Sequence, residues 1–121
     1  MSRKLAPCLG LAALAAAAAG AQAPIAFQTV RYACDQGKSL VVEYYAGATR
    51  TAPDGRPIGG GHVVLTEADG RQYVLQQTMS ASGIRYASRD ESFVFWSKGD
   101  GAFVEQGPSL TVTYRNCMAQ K

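Results

Sequence analysis

Histidine and tryptophan each occur once in this chain of 121 residues, and cysteine only three times. One histidine and one spare pair of cysteines do not make a closed zinc set, so no metal or other cofactor is expected. A Ser-His-Asp triad could draw only on His62, which borders a glycine-rich stretch, and no serine sits in a nucleophile elbow. Charge of one sign is scarce as well. Two of the 12 basic residues, Arg3 and Lys4, and none of the nine acidic ones lie in the first 21 positions. Without that segment, ten basic residues face nine acidic ones, a net charge of +1 with no cationic field for nucleic acid or anionic lipid. Long apolar runs are missing beyond the N-terminus, so nothing later is long enough to span a bilayer as a helix.

What is present begins with a leader. Arg3 and Lys4, an apolar run from Leu9 to Ala19 and then small residues follow the order of a secretory signal peptide. Residues 1–21 are read as that leader, with cleavage after Ala21, because the later Ala21-Gln22-Ala23 option places Pro24 just past the cut. Residues 22–121 then form one domain of about 100 residues with a modest core. Leu5-Ala6-Pro7-Cys8 has a faint lipobox look. A lipidated cysteine, however, stands at the far end of the hydrophobic stretch, whereas Cys8 precedes nearly all of it. Cys8 is therefore expected to leave with the leader, and the mature protein to be soluble and exported, without a membrane anchor. Cys34 and Cys117 remain, and an even pair in an exported protein reads as a disulfide.

The rest of the chain alternates like strand nearly throughout. Runs rich in Val, Tyr, Phe and Thr at 26–34, 39–45, 62–67, 71–78, 84–88, 92–97, 102–106 and 110–116 predict eight strands and little helix. Asp69-Gly70 predicts a two-residue hairpin turn, and Gly99-Asp100-Gly101 and Gly107-Pro108 mark two more. Consecutive hairpins favour an up-and-down meander. The predicted fold is all-β, a small eight-stranded antiparallel barrel tied by Cys34–Cys117, with closure removing the exposed edges. Residues 46–61 hold Pro53, Asp54, Gly55, Pro57 and three consecutive glycines. They read as a long mobile loop, serving either function or mere tolerance of insertion.

Three constellations bear on chemistry. Ser82 and Lys98 each stand beside a glycine at the end of an aromatic-rich strand. As a Ser-Lys dyad they would need a desolvated lysine. Lys98 instead precedes the solvated turn Gly99-Asp100-Gly101, whose anion would keep the ammonium charged. Paired carboxylates for glycoside cleavage would have to come from loop residues such as Asp90 and Glu91, which are adjacent in a turn and read as solubilising. The expectation is a protein that is not an enzyme. In Phe93-Val94-Phe95-Trp96 both strand faces are apolar, so Trp96 is read either as core or as interface, while Ser82 and Lys98 have no packing role to explain them.

These residues also carry a resemblance. Tyr32-Ala33-Cys34, Gly37, Val41-Val42-Glu43-Tyr44, Ser80-Ala81-Ser82-Gly83-Ile84-Arg85-Tyr86, Phe95-Trp96-Ser97-Lys98-Gly99 and Asn116-Cys117 resemble the bacterial periplasmic and membrane-bound inhibitors of c-type lysozyme. The resemblance covers most of residues 22–121 and implies the same disulfide-tied barrel. It further implies that Ser82 and Lys98 enter the lysozyme cleft, with Gly83, Tyr86, Trp96 and Gly99 as their framework and Tyr86 and Trp96 adding contact area. The implied partner is c-type lysozyme, met by a monomer or weak dimer. The hairpin tip at 88–92 and the 46–61 stretch are both longer than the family's usual pattern. A second reading is a periplasmic barrel that takes a small apolar ligand or envelope component in its mouth.

Overall fold

The computed structural model describes residues 26–121. The leader, its cleavage site and Cys8 lie outside the described residues. The strands are β1 (Gln28–Ala33), β2 (Ser39–Tyr45), β3 (Arg50–Thr51), β4 (Pro57–Ile58), β5 (His62–Glu67), β6 (Gln72–Thr78), β7 (Ile84–Ala87), β8 (Phe93–Lys98), β9 (Gly101–Gln106) and β10 (Thr111–Ala119). A single 3-10 turn at Asp35–Gly37 is the helical content of the described residues. Eight strands close into an antiparallel barrel in the order β1-β10-β9-β8-β7-β6-β5-β2, and β3 pairs with β4 as a separate hairpin.

Period-two alternation sets the interior. Leu40, Val42 and Tyr44 of β2, Val63 and Leu65 of β5, Leu75 of β6, and Phe93 and Phe95 of β8 point inward and are buried. Tyr32 and Phe95 pack edge to face at 5.8 Å, and Tyr44 and Tyr86 likewise at 6.0 Å. The Tyr32 and Tyr44 phenols share a buried 2.6 Å hydrogen bond. Burial pushes all three buried tyrosine phenols above their ordinary range. A wide interior would have favoured the apolar-ligand reading; these side chains occupy it as a packed core.

The seam between the first and last strands is the thinnest. β1 meets β10 only through Tyr32↔Ala119 and Ala33↔Met118, whereas β1 meets β2 through six residue pairs. The Cys34–Cys117 disulfide spans this seam. Beside it Asn116 Nδ2 donates to Asp35 Oδ2 at 2.7 Å, and Lys38 Nζ donates to the Thr113 carbonyl at 2.7 Å. Side chains and a covalent bond thus stand where ladder hydrogen bonds are few.

Three expectations are corrected. The Asp69-Gly70 turn is a three-residue connection, in which Gly70 N–H donates to Glu67 and Glu67 N–H to the Arg71 carbonyl. Of the two residues only Gly70 takes positive φ, at 93°, so the turn is a type I turn with a glycine bulge. Asp69 instead uses its carboxylate to hold the Arg71 N–H and guanidinium. Second, β10 does not stop at Asn116. Asn116 adopts φ 51°, the register shifts between Tyr114 and Cys117, and the strand runs on to Ala119. Asparagine tolerates that conformation, so it marks a bulge here and not a strand end. Third, residues 46–61 are not a featureless loop: they contain the β3–β4 hairpin, with Ala52 buried.

Candidate functional site

The candidate site lies at the barrel end where β6 joins β7 and β8 joins β9. Ile84 of β7 pairs with Ser97 of β8, so the residues just outside that pair, Gly83 and Lys98, come together. Gly83 has φ +71°, and a Cβ there would lie 2.8 Å from the Ser97 carbonyl oxygen and 3.2 Å from Lys98 Cβ. Only glycine permits both that backbone conformation and that approach. Its neighbour Ser82 is exposed, and the Ser80 hydroxyl bonds to the Ser82 and Gly83 carbonyls at 2.8 and 3.0 Å, pinning the loop. Ser80 opens the matching motif in the sequence, and its role as the pin of the loop comes only from the structure. Gly83→Ala is expected to destabilise the fold by about 1–2 kcal/mol through left-handed strain alone. A denaturant melt unchanged from wild type would show that Gly83 does not hold this left-handed backbone.

Lys98 ends β8, pairs with Gly101 and is exposed. Gly99 takes φ +59° at the first central position of the two-residue β8–β9 turn, where a type II′ hairpin needs glycine. The turn's anion does not hold Lys98. Asp100 Oδ2 is bonded by Lys121 Nζ at 3.1 Å, and among the described residues Lys98 forms no ion pair. Ser82 and Lys98 line one open groove of about 700 Å³ with Trp96, Phe103, Arg115 and Met118.

Trp96 lies on the outer wall of β8, two residues before Lys98 and on the same face. Its indole N–H donates to Glu105 Oε1 at 2.8 Å, its ring stacks on Phe103 at 5.8 Å, and the Arg85 guanidinium stands 5.7 Å from it. Neighbouring Val94 also faces outward by alternation yet is fully covered. The apolar outer face of β8 is therefore partly roofed by its own neighbours, and Trp96 is a half-buried wall residue outside the barrel core. Tyr86 corrects the expectation of contact area: it is 5% exposed and packed inside against Tyr44 and Phe95, so it supports the rim from within.

The other candidates are structural. Asp90 accepts hydrogen bonds from the Ser92 and Ser88 hydroxyls and the Ser92 N–H, which hold its carboxyl below the usual range. A general acid needs the opposite shift. Glu91 pairs with Arg85 at 3.0 Å. His62 is stacked face to face on Tyr45 at 4.7 Å.

Ser82 and Lys98 thus stand together on one exposed rim of a packed, disulfide-tied barrel. The chain belongs to the family described as membrane-bound lysozyme-inhibitor of c-type lysozyme, whose model matches residues 32–113. It is similar to the membrane-bound lysozyme inhibitor of C-type lysozyme of Cupriavidus necator, 32% identical over 96 residues, covering 77% of this chain and 66% of that protein. A protein of the same description from Yersinia enterocolitica is 43% identical over 44 residues, 36% of each chain. The chain thus spans just under two thirds of the first relative and about a third of the second. Among solved structures, the periplasmic lysozyme inhibitor of C-type lysozyme from Salmonella typhimurium shares the fold. Its TM-score is 0.56 at 16% identity, over 78% of this chain and 98% of that one. The family is one of enzyme inhibitors.

Proposed function

We propose that this protein is an exported inhibitor of c-type lysozyme that blocks the enzyme by placing Ser82 and Lys98 in its active-site cleft. The observation that carries the proposal is the exposed Lys98 ammonium, without an ion pair among the described residues, on one groove with Ser82 and joined to it through the Gly83 packing. Lysozyme works with one protonated and one ionised carboxyl group flanking the scissile bond. An inserted ammonium pairs with the ionised group and disturbs the poise of the other. The Ser82 hydroxyl donates to, or accepts from, the same pair. Trp96 adds contact area beside them. Gly83 and Gly99 shape the two turns, and Tyr86 fills the space beneath.

The test is lysis of bacterial cell walls by hen egg-white lysozyme with residues 22–121 added. Protection near one inhibitor per enzyme is expected, and undiminished lysis at large excess rejects the proposal. The relatives' names point to the cell envelope. We place the protein in the periplasm after removal of residues 1–21. Intact mass of the exported protein should correspond to a start at Gln22; a lipid-modified Cys8 terminus would make it membrane-bound instead.

A further inference from the structure

The connection between β2 and β5 is an arm with a narrow neck. At its neck, a Cβ on Gly47 would lie 2.2 Å from the Gly60 carbonyl oxygen, and one on Gly60 would lie 1.6 Å from that of Ala48. Glycine is needed here for backbone contact. The β3–β4 hairpin beyond it closes in the turn at 52–56, with Gly55 N–H donating to Ala52 and Asp54 holding Arg56.

The arm is fastened to one residue of β6, Gln77. The Arg50 guanidinium donates to the Gln77 carbonyl. The Gln77 N–H donates to the Gly61 carbonyl at 2.9 Å. The Gln77 side-chain amide lies against Gly59, where a Cβ would fall 2.6 Å from Oε1. Gln77 in turn pairs with Tyr86 of β7, and the chain leaves it through Thr78, Met79 and Ser80 toward Ser82. Pro57, Ile58 and Gly59 from the arm and Met79, Ser80 and Gly83 from the β6–β7 loop line a common cleft. The arm is thus bonded to Gln77, three residues before Ser80 in the chain, and the Ser80 hydroxyl reaches the carbonyls of Ser82 and Gly83.

We infer that the arm at residues 46–61 is a buttress for the Ser82 loop, with Arg50 and Gln77 as positioning residues that keep Ser82 on the rim beside Lys98. The inference rests on the lysozyme reading above. Residues 81–84 are exposed. Ordering such a loop at the moment of binding costs affinity, and a buttress that orders it beforehand removes that cost.

A double-mutant cycle tests this with hen egg-white lysozyme. Arg50→Ala is expected to lose about tenfold in inhibitory potency, whereas the same change added to Ser82→Ala should cost within about twofold more. An equal loss in both backgrounds means that the arm touches the enzyme directly or only loosens the fold, and overturns the inference. Full potency of Arg50→Ala overturns it too. A second variant replaces residues 48–59 with Asn-Gly, which the contact of Gly47 with Gly60 allows without stretching, and should show the same dependence on Ser82. A wild-type protein that fails to protect cell walls brings down the lysozyme reading and the buttress together. A protective wild type with an additive cycle brings down the buttress alone.

Discussion

Lys98→Ala is expected to weaken lysozyme inhibition by at least about 2 kcal/mol, roughly thirtyfold, while leaving the fold intact. The side chain is exposed at a hairpin end and pairs with no anion among the described residues, so its removal breaks no internal ion pair. Under the proposed insertion, the same charge would meet an ionised carboxylate in the enzyme's cleft. At about 4 Å and an effective dielectric near 20, the gross attraction is roughly 4 kcal/mol, part of which is offset by desolvation. Lys98→Glu should be worse than alanine, since it sets like charges together. Lys98→Arg is expected to recover only part, because a planar fork does not replace a compact ammonium. The check is a titration of each variant against lysozyme alongside its thermal melt. A Lys98→Ala protein that melts normally and inhibits as well as wild type removes Lys98 from the mechanism.

Loss of the disulfide is the second large effect. Cys34 and Cys117 are 83 positions apart, and closing a loop of that size contributes about 4–5 kcal/mol on the chain-entropy argument. Small domains have net stabilities of only about 5–15 kcal/mol. The bond also crosses the seam where β1 and β10 share two residue pairs. Cys34→Ser/Cys117→Ser should therefore move the urea midpoint sharply downward. Amide exchange in that variant should rise first at Tyr32, Ala33, Met118 and Ala119. An unchanged midpoint would mean that the ladder and the Asp35–Asn116 and Lys38–Thr113 bonds close the barrel unaided.

The barrel was legible in the chain because strand burial repeats every second residue. In the structure Leu40, Val42 and Tyr44 of β2 and Val63 and Leu65 of β5 follow that repeat. In Phe93-Val94-Phe95-Trp96 that signal fails, since both faces are apolar; the fold puts the phenylalanines inside and leaves Trp96 on the wall against Phe103. Glycine misled in the 46–61 stretch. Three glycines in a row read as slack, but at Gly59 and Gly60 the missing side chains let other atoms come close. Asn116 read as punctuation for a comparable reason, since a residue that tolerates positive φ serves a bulge as well as a strand end.

The eight barrel strands, their hairpin order, the cysteine pair and the glycine-flanked serine and lysine were all readable from the order of residues, because each depends on positions close together in the chain or on a simple count. Which carboxylate meets which ammonium was not readable. Asp100 lies two residues from Lys98 yet is held by Lys121, while Gln77 gathers the arm from residues 16 to 27 positions earlier. Those pairings follow from distances across the closed barrel, and such distances exist only once distant segments have packed.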